Sequence, residues 1–167
     1  VLVASGENLL ANNTSGYAVA LSRDTVGTTI YKLVRFQQGL GATENLTTII
    51  ESEPGVVAAT YYASVKVVYS PQTDTWKLFV RDDKGNFALP DPMVESEAVG
   101  YYTEIGQGAV DNTYTSLAMS VCGFFYNHGT ARRGTEAKAN FDNFGVQVAA
   151  ATLSAEARLN EINIDKD

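Results

Sequence analysis

Alternation with a period of two constrains this chain more than any other feature of its sequence, and it is clearest on either side of one turn. In Ser64–Tyr69, Val65, Val67 and Tyr69 fall on one side. In Trp76–Arg81, Trp76, Leu78 and Val80 do, leaving Lys77 and Arg81 opposite. A strand sends successive side chains to opposite faces, so each segment presents an apolar face and a second, more polar one. Between them, Pro71 presets its φ and Asp74 tolerates a left-handed backbone, which are turn properties. The pair predicts an antiparallel hairpin covered on one face, with Lys77 and Arg81 pointing outward.

The same period recurs along most of the chain. Tyr17, Val19 and Leu21 share a face. From Ile30 to Phe36, Ile30, Lys32, Val34 and Phe36 lie on one side and Tyr31, Leu33 and Arg35 on the other. Neither side is purely polar, so this strand is expected to carry its charges at a ligand-facing or edge position. Gly85 or Asn86 suits a positive-φ turn, and Pro90 with Pro92 marks an irregular loop. Val99–Ile105 and Thr115–Tyr126 are further strand candidates, the latter apolar enough for a central strand. Asn140–Val148 is expected to close the fold with Phe144, Val146 and Val148 on one face. Only Leu153–Leu159 has helical propensity, and it is too short to be stable alone.

Many short strands with regular turns and no alternation of strand with helix specify an all-β, two-sheet antiparallel sandwich. The expected organisation is one domain over residues 1–150 and a tail or linker over 151–167. Trp76, Leu78, Val80, Val65, Val67, Phe144 and Val146 are its predicted core.

The segments Gly16–Leu21, Tyr31–Leu40, Asn45–Ile50, the Ser64–Asp83 hairpin and Ala139–Val146 together carry a family likeness. The hairpin's valine-rich strand, its Pro/Asp turn and its Trp-x-Leu-x-Val are the most specific part. They resemble the laminin-G-like or concanavalin A-like jelly-roll domains of large secreted Bacteroidetes proteins. The resemblance implies two curved antiparallel sheets with a concave face. It also implies a module that is often non-catalytic and stands beside enzymes, adhesins or sorting domains. The family places another strand before the Gly16 position, where this chain offers only Val1–Leu10. Fold likeness does not transfer function, because the architecture hosts enzymes, lectins and spacers alike.

Charge narrows the partners. A formal net charge of -7 argues against nucleic acid, which needs a dense basic surface, and Arg132–Arg133 is the only adjacent basic pair. No run approaches the length of a membrane-spanning helix, so membrane insertion is not expected. Cys122 is the sole cysteine, which excludes an intrachain disulfide and a thiolate zinc site; its apolar setting predicts a buried, inert thiol. Opening on Val1, the chain is expected to be a processed product or an excised piece, secreted or at the cell surface.

Catalysis finds little support. A glycosidase of this fold needs two carboxylates facing one cleft. Glu51 and Glu53 run into Pro54–Gly55, and Glu95 and Glu97 follow two prolines, so both pairs read as solvated acidic loops. His128 is the only histidine and lies in a loop, and no nucleophile-elbow, zincin or phosphate-loop motif is present. Calcium is a candidate cofactor through Asp24, Asp111, Asn112 and Asp142, with Asp74, Asp82, Asp83 and Asn143 as further oxygen ligands, although Asp and Asn also serve turns.

For sugar stacking, the candidates are Tyr62, Tyr101, Tyr102, Tyr114 and Tyr126, with Asn127 as a hydrogen-bonding neighbour. Two readings follow, the first the leading one and the second its alternative. One is a non-catalytic, lectin-like carbohydrate-binding module that takes a polysaccharide or glycan. The other is a structural or protein-interaction domain that docks on neighbouring domains. Exposed tyrosines beside amides favour the first, and buried tyrosines favour the second.

Overall fold

β-Branched and aromatic residues at alternate positions build the strands of this protein, and polar turn residues end them. The computed structural model describes residues 1–23, 28–57, 62–84, 102–119, 121–126, 141 and 144–146. Among these the chain is all-β, with seven strands in two antiparallel sheets and a 3₁₀ turn at Thr43–Asn45. β1 (Val3–Ala4), β2 (Gly16–Arg23), β3 (Thr29–Phe36) and β4 (Leu46–Glu51) follow one another across a four-stranded sheet. β5 (Tyr62–Ser70), β6 (Thr75–Lys84) and β7 (Thr103–Val110) make a three-stranded one. Each sheet is a meander, and jelly-roll crossovers are not among the described connections.

The sheets meet across one apolar cluster. Tyr17, Tyr31, Leu33 and Ile50 come from the first sheet, Trp76, Leu78, Val80 and Ile105 from the second, and Val57 joins them. Full burial of an aliphatic or aromatic side chain of this size stabilises by about 1.5–3 kcal/mol. The hairpin register pairs Val67 with Leu78 and Tyr69 with Trp76, so Val67 and Tyr69 pack at the margin of the same cluster.

Both faces of β3 are buried, which accounts for its lack of a polar side. Register sets Leu33 opposite Val19 and Arg35 opposite Tyr17 on the inter-sheet face. On the other face Val34 and Phe36 join Ala18 and Ala4 in a second buried cluster, edged by Val1, Leu9, Leu40, Leu46 and Val121. The β3 charges are therefore internal or paired instead of ligand-facing. Lys32 meets Glu51 of β4 at 3.1 Å, and Arg35 turns toward Asp111.

Several expectations are corrected. Val65 lies opposite Val80 but is 39% exposed, because β5 is the last described strand of its sheet and Val65 stands outside the buried cluster. Phe144 and Val146 are 51% and 69% exposed, and residues 144–146 form no strand. Arg81 does oppose the Trp76 face, yet it is buried, for reasons given below. Thr115–Tyr126 is not a long central strand. Residues 113–116 turn, and Val121 makes a single antiparallel bridge to Ala4. Cys122 follows that bridge on the opposite side and is exposed, not buried. The strand expected over Val99–Ile105 runs later, as β7. Gly85, Asn86, Pro90, Pro92, Val148 and the tail 151–167 lie outside the described residues.

Candidate functional site

Among the described residues, the densest polar arrangement lies at the end of the sandwich where β2 begins, β3 ends, the β5–β6 turn folds back and the chain leaves β7. Trp76 packs against both Tyr17 and Tyr69 in tilted contacts with ring centroids 4.4 Å away, and Tyr114 meets Tyr17 edge-on at 6.0 Å. An indole needs a partner for its N–H when buried, and Trp76 Nε1 donates to the Asp111 carbonyl at 2.9 Å.

The Asp111 carboxylate ties these elements together. Its Oδ1 accepts from the Tyr17 hydroxyl at 2.7 Å and from the Thr113 N–H at 3.1 Å, while Oδ2 pairs with Arg35 Nη1 at 2.5 Å. The Tyr17 oxygen in turn accepts the Tyr114 N–H at 3.1 Å. Burial pushes the Asp111 carboxyl up. The Tyr17 hydroxyl, the Thr113 N–H and Arg35 outweigh burial and hold it below the ordinary carboxylate value. Burial raises the Tyr17 hydroxyl well above the usual tyrosine value, and the neighbouring Asp111 adds to this against the Tyr114 N–H.

The hairpin turn is locked in the same way. Asp74 takes the left-handed conformation at φ 49 and accepts the Tyr69 hydroxyl at 2.6 Å, while its carbonyl accepts the Asp111 N–H at 3.1 Å. That hydroxyl's bond to Asp74, followed by burial, raises the Tyr69 value. The turn assigned from Pro71 and Asp74 is thus also the clasp between β5–β6 and the 111–115 segment.

A second polar cluster lies on the outer face of the three-stranded sheet. A bulge at Tyr62/Ala63 leaves Asp83 without a partner in the register, two residues beyond Arg81 on the same strand. Arg81 Nε and the Ser64 hydroxyl both donate to the Asp83 carboxylate, and the guanidinium lies 5.6 Å from the Tyr102 ring. Arg81 and Asp83 are 6% and 4% exposed. A buried charge requires a partner, and this pair supplies it.

The sequence-predicted site residues do not converge on one place. Asp111, Asn112 and Tyr114 meet at the sandwich end. There Asp111 is buried and already neutralised by Arg35, Asn112 is exposed, and Tyr114 is half-buried with its hydroxyl 3.4 Å from Gln37 Oε1. Tyr102 is half-buried over Lys66 and Arg81 on the outer sheet face. Tyr62, on β5, and Tyr126, past the Val121 bridge, are 42% and 49% exposed. Tyr101, Asn127, Asp24, Asp142 and Asn143 lie outside the described residues, as do Glu95, Glu97 and His128. Glu51 ends β4 against Lys32, with Ser52 buried between it and the exposed Glu53. Among the described residues no three His, Cys, Asp or Glu side chains gather as metal ligands. None of their helices is long and apolar enough to cross a membrane.

Sequence reasoning missed Tyr17, Arg35 and Gln37 at the sandwich end and the Arg81–Asp83–Ser64 set. A usable signal existed in both places. Arg35 alternates with Tyr31 and Leu33, so a charge sits on an apolar face and demands an internal carboxylate. Arg81 and Asp83 stand two apart, the spacing that puts opposite charges on one strand face. Among the described residues both clusters pair buried carboxylates with donors and so join elements. No known protein family, curated protein or solved structure matches the chain.

Proposed function

We propose that this domain is a non-catalytic structural or protein-interaction module of a secreted or surface protein. One observation carries the reading. Among the described residues the buried carboxylates are bound internally, Asp111 by Tyr17, Thr113 and Arg35, and Asp83 by Arg81 and Ser64. The two aromatic side chains that hydrogen-bond to Asp111, Tyr17 and Trp76, are buried in the inter-sheet cluster. Such an arrangement commits these carboxylates to joining elements of the sandwich.

Glycan binding is the second reading, favoured by the half-buried Tyr114 ring, with Gln37 at its hydroxyl and Asn112 nearby. A glycan array run with and without calcium separates the two, and the structural reading expects no binding in either condition. Binding that disappears in Tyr114→Ala or Tyr126→Ala overturns it in favour of the lectin-like one. Hydrolysis of any polysaccharide in a broad panel, abolished by Glu95→Gln or Glu97→Gln, overturns the non-catalytic assignment altogether.

A further inference from the structure

We draw no further inference here: the strongest candidate, the half-exposed Phe124–Phe141–Phe144 ring cluster that follows the Val121 bridge to β1, carries nothing because nothing in the structure shows what covers it.

Discussion

Asp111 is buried, which disfavours its anion, and the Tyr17 hydroxyl, the Thr113 N–H and Arg35 outweigh that cost. Its carboxyl is held below the unfolded value, so its pairing stabilises fully above about pH 4 and is lost as pH falls through the folded value. Asp111→Asn is therefore expected to cost about 1–3 kcal/mol at neutral pH, because Arg35 loses a charged partner. It should also flatten the decline of stability in acid, read as urea midpoints across pH 2–7. An unchanged acid slope would show that this carboxylate is not the anchor. Gly16 works through space instead of charge. A Cβ there would stand 2.1 Å from the Val3 carbonyl oxygen, so Gly16→Ala must lift β1 off β2. The expected loss is about 1–3 kcal/mol, with faster amide exchange at Leu2, whose N–H donates to Tyr17 at 2.9 Å. Unchanged exchange at Leu2 would mean that β1 tolerates the methyl.

β6 is the element on which both polar clusters depend. One face puts Trp76, Leu78 and Val80 into the inter-sheet cluster, and the other holds the Arg81–Asp83 pair. Removing one member of a buried ion pair leaves the other charged and desolvated, whereas replacing both with apolar residues removes the demand. Arg81→Ala is expected to cost about 3–5 kcal/mol, and Arg81→Met with Asp83→Leu much less than that single change. Urea denaturation of the two variants decides it. A double variant weaker than the single one would mean that the pair contributes specific bonding that hydrophobic burial does not replace. The strand itself was legible from alternation, since Trp76, Leu78 and Val80 are buried as expected. The burial of Arg81 was not, because it depends on a bulge and on Ser64 across the hairpin.

At the scale of the whole molecule, the shared cluster makes the two sheets one cooperative unit. Leu33 and Leu78 contribute from opposite sheets and are both fully buried. Leu33→Ala and Leu78→Ala are each expected to cost about 2–5 kcal/mol. In each variant Trp76 fluorescence, which reports the second sheet, should lose its native signal at the same urea concentration as far-UV circular dichroism. Midpoints that separate would show that the sheets unfold independently. The sequence by itself determined the all-β class, the β5–β6 hairpin with its Pro71/Asp74 turn, and the side of β2, β3 and β6 that each residue occupies. These follow from local chain geometry, because a strand's alternation and a turn's φ are properties of neighbouring residues. Tertiary structure alone decided where a second side would also be covered and which apolar residues would stay exposed. Both faces of β3 are buried while Val65 and Val110 stay exposed; half-buried Arg35 pairs with a buried carboxylate from elsewhere, and Arg81 is buried with Asp83 beside a bulge. Burial and charge pairing depend on residues far apart in the chain meeting in space, and alternation along one strand carries no record of what packs against it.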